Sequence, residues 1–507
     1  MAEKDPKHLE NADEAEVLKD DSSPPSNHAL DISGVNKAKV LRKMDLRIIP
    51  IVTVLYLFSF LDRGNIGNAR ILGMEDELGL VGNQYSLCLT VFFFPYCAFE
   101  LPSNILLKKL RPSIWLPSIM IAWGLCTTFM GFCQNYHGLL IARIFLGVGE
   151  AGLFPGVAYY LTMWYAPEDL AFRQGMFFSA ASAAGGFSGL LAYAINKMDG
   201  LGSFSGWRWI FIIEGAVTVA VAVLSFFLIQ DFPDKAKFLT PEEKAWAIER
   251  VKYASSGRRA GETGKVEETA EAFKWKYVRA GLLDWQVWVA IIVTWGSSCV
   301  LYGISFFLPT IVNQLGYTAN AANLLTIPMY VAASLATVAL AWLSDRRRVR
   351  YPFVLAMQLL LVLGFIFCIA GSAVGGGTKL AGLRYAGVFL ATLGCYPYYI
   401  VNLTWVATNV SPTYKRGAAM ALQIGFGNLG GAMASNFYRT QDAPGYLMGH
   451  GIEMGFVVLA IVFGVLLRWM YGHINKKRDA DVGAADRYSD NELAEMGDRA
   501  PTFRYNY

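Results

Sequence analysis

Apolar residues fall in long unbroken runs along this chain, without the alternation of half-buried strands or the narrow stripe of surface helices. The runs are about 20 residues long, enough as α-helix to cross a hydrocarbon core of about 30 Å. They predict an all-α integral membrane protein with 12 transmembrane helices. Six spans are expected at 46–70, 84–107, 114–133, 138–162, 174–197 and 208–230, and six more at 285–312, 320–343, 352–373, 382–408, 416–438 and 452–472. Continuous runs argue against a β-barrel, whose strands alternate.

The polar stretches divide the chain into five parts. Residues 1–45, with Ser22-Ser23-Pro24-Pro25, read as a disordered cytoplasmic tail. Residues 46–230 form a first six-helix bundle, 231–284 a cytoplasmic central loop, 285–472 a second six-helix bundle, and 473–507 a polar, disordered C-terminal tail. Inside the central loop, Thr240-Pro241-Glu242-Glu243 is a capping box that opens a short helix through Arg250. Basic residues such as Lys108, Lys109, Arg111, Arg346, Arg347, Arg348 and Arg350 gather in loops on one side, which places both termini in the cytoplasm. The bundles read as pseudo-repeats. Gly175 is followed by Gly185 and Gly189 in span 5, and Gly417 by Gly427 and Gly431 at the same offsets in span 11. Each pair is a G-x-x-x-G motif that lets helix backbones approach closely.

Composition agrees: of 507 residues, 54% are hydrophobic and 17% charged, with a net charge of +4. The seven cysteines fall in predicted spans with no C-x-x-C pair, so neither a disulfide framework nor a zinc site is indicated. The five histidines lie in tails or near span ends, which leaves carboxylates as candidate proton carriers inside the membrane. There is no P-loop, no soluble-enzyme constellation and no nucleic-acid signature, and no cofactor is expected.

The exceptions to the apolar pattern carry the candidate chemistry. Asp62 and Arg63 sit inside span 1, where a charge costs roughly 3 kcal/mol at the bilayer centre. They either neutralise neighbours and hold helices together or mark an ion or substrate pathway. Counting about 1.5 Å per residue puts them, and Arg143 in span 4, about 8–12 Å below the outer surface. Glu150 follows Arg143 by two turns, about 10 Å deeper on the same face. Two cations and two carboxylates can thus converge on one cavity. Glu100 in span 2 and Glu214 in span 6, the latter six residues after Arg208, read as structural pairing groups. The second half offers polar and aromatic groups instead: Tyr302, Tyr330, Tyr396, Tyr398, Tyr399, Asn402, Trp405, Asn409 and Asn428. Asn402, in the stretch that begins at Tyr399, is the favoured substrate contact.

In Leu61-Asp62-Arg63-Gly64-Asn65-Ile66-Gly67-Asn68-Ala69, Glu100-Leu101-Pro102-Ser103-Asn104 and the stretch Arg143-Ile144-Phe145-Leu146-Gly147-Val148-Gly149-Glu150 the chain resembles the major facilitator superfamily. More narrowly, it resembles the anion:cation symporter family in its fungal allantoate/nicotinate/pantothenate permease branch. Gly206-Trp207-Arg208-Trp209 with Glu214, and Phe238 to Lys244, fit that branch as well. The superfamily's Gly-x-x-x-Asp-Arg loop motif stands after span 8 as Ala341-Trp342-Leu343-Ser344-Asp345-Arg346. The loop after span 2 lacks the Asp, leaving Glu100 as its candidate substitute in gating.

The resemblance implies the major facilitator fold and a secondary transporter driven by a proton gradient. It implies that Arg63 contacts a substrate carboxylate, that Asp62 and Glu150 exchange protons, and that Arg143 pairs with one of them. Ionised, the four groups sum to zero; with both carboxylates protonated they sum to +2, which favours an anion. Three functions stay open: uptake of a small organic anion with protons, efflux of a drug or acidic metabolite by proton antiport, and ligand sensing without transport. The protein is expected to act as a monomer in the lipid bilayer of the plasma membrane.

Overall fold

In the computed structural model, which describes residues 34–255, 275–375, 380–481, 483 and 487–507, the apolar runs are helices. The first bundle holds Lys37–Ala69, Gln84–Leu110, Pro112–Met130, a fourth span in two pieces, Pro167–Ile195 and Gly206–Leu228. The second holds Trp285–Asn313, Ala319–Arg347, Tyr351–Gly375, Ala381–Asn409, Thr413–Ala434 and Leu447–Ala480. These are spans 1 to 12. Eleven are long and apolar enough to cross a membrane by length and composition. Span 11, Thr413–Ala434, is not in that set; it packs between spans 2 and 7 and so can carry Lys415, Arg416, Gln423 and Asn428.

Span 4 is two helices, Tyr136–Glu150 and Leu153–Trp164. Pro155 has no N–H to offer the carbonyl of Ala151, four residues earlier, so the ladder breaks just after Glu150. Glycines press this segment against its neighbours. A Cβ on Gly147 would lie 2.3 Å from the Phe92 carbonyl oxygen, and one on Gly149 3.0 Å from the Trp123 side chain. Glu150 is thereby held at a helix end against spans 2 and 3.

The two bundles meet along two seams, spans 5 with 8 and spans 2 with 11. The expected close approaches occur here. Gly175 lies against Ala341, Gly185 against Tyr330 and Gly189 against Asn323; Gly431 receives the ring of Phe93. Gly427 faces Thr294 within its own bundle, and Gly417 faces open space.

One end of the molecule carries both Lys37 and Tyr507 and is called the terminal side here. Span 1 starts there at Lys37 with Asn36 as N-cap, earlier than the tail boundary at residue 45 expected from hydropathy. Its first turns are polar and project beyond the apolar run. Residues 1–33 of the expected tail, and 256–274 of the central loop, lie outside the described residues. The loop helix runs from Pro241 to Ser255 with its capping box formed. Glu243 also takes Lys43 of span 1 at 2.6 Å. Burial pushes the Glu243 carboxyl up, but Lys43 and the Thr240 N–H outweigh it and hold the carboxyl below its usual range. This clamp is therefore intact at neutral pH and weakens as pH falls through that lowered value.

The C-terminal segment departs from expectation. It is not a disordered tail: it folds back on the second bundle. Asp498 is fully buried and takes Lys415 at 2.7 and 2.9 Å, while Lys415 also reaches Asp284 at 2.5 Å. Tyr505 stacks on Tyr471 with centroids 4.6 Å apart, and the Asn506 carbonyl accepts from Trp405 and Asn409. A polar stretch can be ordered in this way when its charges find buried partners, which hydropathy does not register.

Lys415 is the one cation between two buried carboxylates. Lys415→Met is expected to destabilise the protein by about 3–5 kcal/mol, because both buried carboxylates lose the cation they share. Asp498→Asn leaves Lys415 paired with Asp284 and is expected to cost less. Thermal unfolding in detergent, read alongside trypsin cleavage of the C-terminal segment, checks that order; equal midpoints for the two variants would contradict it.

Candidate functional site

Arg63 and Asp62 are neighbours on one helix, so their side chains leave it about 100° apart. That angle separates them. Arg63 points into a narrow cavity between the bundles, lined by Tyr56, Phe60, Tyr96, Phe154, Phe178, Leu301, Tyr302, Tyr399 and Asn428. Asp62 points into the first bundle, where its Oδ2 accepts from Trp123 Nε1 at 3.1 Å and Thr218 Oγ1 at 2.9 Å.

Glu150 comes to Arg63. Arg63 Nε and Nη2 donate to a single oxygen of Glu150, Oε2, at 3.0 and 2.6 Å. Ser59 adds a long bond of 3.4 Å to the same oxygen. Glu150 Oε1 is buried without a hydrogen-bond partner. The third guanidinium nitrogen, Nη1, donates to the Tyr302 hydroxyl at 2.8 Å, and that hydroxyl donates to Asn428 Oδ1 at 2.7 Å. One chain of bonds thus runs from Glu150 through Arg63 across to the second bundle. The guanidinium also lies 5.1 Å from the ring centroids of Phe60, Phe92 and Tyr96. Such ring faces favour a cation and offset part of its desolvation.

The pair is sealed from water: Arg63 is 4% exposed and Glu150 0%. On the terminal side the seam of spans 5 and 8 is latched. Asp345 accepts from the Phe172 N–H at 2.6 Å and pairs with Arg350 at 2.5 Å. Arg173 joins span 5 to Asp45 of span 1 at 2.8 Å. On the opposite side, Thr90 and Ser435 share a 2.7 Å bond across spans 2 and 11. A second cavity of about 400 Å³ lies toward that side, lined by Phe60, Asn68, Ser188, Thr326, Tyr330 and Tyr396 among others. Phe60 is common to both cavities.

The expected site residues therefore scatter. Arg63 and Tyr399 line the cavity, with Glu150 buried behind Arg63; Tyr399 stacks on Phe178 with centroids 5.0 Å apart. Asn402 is not: it donates to Thr294 at 2.9 Å inside the second bundle. Arg143 pairs with neither carboxylate. It is 1% exposed beside Tyr85 and Cys88, and its Nε and Nη2 have no hydrogen-bond partner. Glu150, at the helix break, turns to Arg63 instead. Arg208 pairs with Glu77 at 2.8 Å and not with Glu214, which accepts from Asn65 at 2.7 Å. Arg346 is exposed over Trp342, and Arg350 takes its expected place beside Asp345. Glu100 is buried on the seam of spans 2 and 11.

Sequence reasoning passed over Tyr302 and Asn428 as packing groups. A signal for Asn428 existed: it precedes Gly431 by three residues and so shares the face that meets the other bundle. Nothing comparable marks Tyr302.

The arrangement can hold an anion. A bidentate guanidinium suits a carboxylate, the aromatic walls suit a flat ring, and Asn428 Nδ2 is buried without a partner. Glu150 occupies the place an anion would take on Arg63.

Comparison with known proteins agrees with the fold. A proton:xylose symporter of known structure superposes with a TM-score of 0.62 at 15% identity, covering 83% of this chain and 94% of that one. Among curated proteins, the MFS-type transporter cnsO of Penicillium expansum is 36% identical over 93% of this chain and 91% of its own. The high-affinity nicotinic acid transporter of Saccharomyces cerevisiae is 30% identical over 99% and 90% respectively. The family model of the Major Facilitator Superfamily matches residues 52–435, and this chain, a multi-pass membrane transporter and not an enzyme, belongs to that superfamily.

Proposed function

We propose that this transporter carries a small organic monocarboxylate together with protons, in the uptake direction, by alternating exposure of the cavity between its bundles. The observation that carries this reading is the pairing of Glu150 with Arg63, which lines the cavity. While Glu150 is ionised it engages two of the three guanidinium nitrogens of Arg63. Protonation removes the charge that holds it there, and a carboxylate can replace it on the guanidinium. Anion and proton then bind in mutual dependence, with the proton gradient as energy source. Arg63 is the anion contact, Glu150 the proton carrier, and Tyr302 with Asn428 the link that tells the second bundle whether the site is filled. Arg143 adds positive potential from within the first bundle, and Asp62 and Glu214 set the packing of spans 1, 3 and 6.

A planar aromatic acid fits best. Ring faces of Phe178 and Tyr399 line the cavity, and the yeast relative is named for nicotinic acid. Nicotinate is accordingly the first substrate to test, ahead of allantoate and pantothenate. The terminal side is taken as cytoplasmic, with the Asp345, Phe172 and Arg350 contacts as the inner gate of a plasma-membrane protein that acts as a monomer.

Proteoliposomes given labelled nicotinate and an inward proton gradient are expected to accumulate it, and to do so less with the gradient reversed. Glu150→Gln is expected to keep gradient-independent exchange and lose accumulation; accumulation with unchanged pH dependence would remove Glu150 from the proton role.

Tyr302→Phe breaks the bond from Arg63 to the second bundle. Hydrogen bonds to charged groups are worth about 1.5–3 kcal/mol, so KM is expected to rise about tenfold or more. An unchanged KM in the same uptake assay would show that Tyr302 only packs.

A further inference from the structure

Glu100 is 2% exposed, and among the described residues it is the one carboxylate with both oxygens buried and without a hydrogen-bond partner. It stands on span 2, four residues from Tyr96, one helical turn from the cavity toward the terminal side. Across the seam it faces the backbone of Gly425 on span 11, where a Cβ would lie 3.3 Å from its Oε2. Next to it, Cys97 donates to the Gly425 carbonyl at 2.9 Å, so the two helices are in contact at this level. The ionisable groups near enough to sense it are Tyr96 and Cys97 on its own span, Tyr302 on span 7 and Tyr399 on span 10. None is a cation, and on span 11 it faces the glycine at 425.

An ionised carboxylate without partners in a dry interior costs several kcal/mol, whereas the neutral acid is far less costly. Water can reach this position once spans 2 and 11 part on the terminal side. We propose that Glu100 is a proton-binding site built into the seam: closing spans 2 and 11 binds a proton at Glu100, and parting them toward the terminal side releases it to water. The closed seam is then favoured at low pH. Its equilibrium with the open seam shifts by up to about tenfold per pH unit between the carboxyl's open-state and closed-state pKa values. This inference concerns the seam alone and does not depend on which substrate is carried or on the role of Glu150.

Spin labels test it. Leu110, at the terminal end of span 2, is 41% exposed, and a side chain on Gly417 at the start of span 11 meets open space. The full chain with its native cysteines replaced, labelled at Leu110→Cys and Gly417→Cys, is reconstituted without substrate. Electron–electron distances are measured between about pH 5 and 8. The parent is expected to gain a longer-distance population as pH rises. Glu100→Gln is expected to hold the short distance at every pH, Glu100→Asp to restore the shift, and Glu150→Gln to keep it. A parent distribution that ignores pH overturns the proposal, as does a Glu100→Gln variant that shifts like the parent. A shift lost in Glu150→Gln but kept in Glu100→Gln assigns the proton to Glu150 and overturns it too.

Discussion

A buried ion pair governs this structure. Arg63 and Glu150 come from spans 1 and 4, and neither charge could stay in a dry interior without the other. Their pairing fixes how those spans face each other, and the remaining donor of Arg63 reaches Tyr302 of the other bundle. The bond that stabilises the empty cavity is also the one an anion must replace. Stability of the sealed state and affinity for ligand are therefore set by the same few atoms.

The rest of the architecture brings those atoms within reach. Gly147 and Gly149 let the first half of span 4 lie against spans 2 and 3, and the break before Pro155 leaves Glu150 at a helix end. Gly175, Gly185 and Gly189 let span 5 close on span 8. Such contacts are as suited to parting as to holding, since they rest on surface fit with few polar bonds. Polar bonds stand near the ends of the seams, at Asp345 and at Thr90 with Ser435, and a few cross them in mid-span, as at Ser182 with Ser334 and at Cys97 with Gly425.

Several candidate residues tie spans together. Asp62 braces spans 3 and 6 through Trp123 and Thr218, and Asn402 ties span 10 to span 7 through Thr294. Both are polar groups in apolar surroundings, and a polar group there must find partners whether or not it serves a ligand. Position in a span identifies such residues as constrained without saying by what. The C-terminal segment makes the same point: Asp498 is held by Lys415, 83 residues away in the chain.

The sequence by itself determined the twelve spans, the two halves and the central loop helix. A bilayer leaves a chain no alternative to helices wherever some 20 apolar residues run together, and a capping box acts within four residues. It also determined which residues are costly where they stand, among them Arg63, Glu100 and Glu150. Only the tertiary structure decided what each of them meets. The 100° step between neighbours on a helix sends Arg63 to the cavity and Asp62 away from it, and the rotation of each helix about its own axis is set by packing between spans. Those contacts join residues hundreds of positions apart, such as Arg63 with Tyr302 and Phe172 with Asp345, and local pattern carries no record of them.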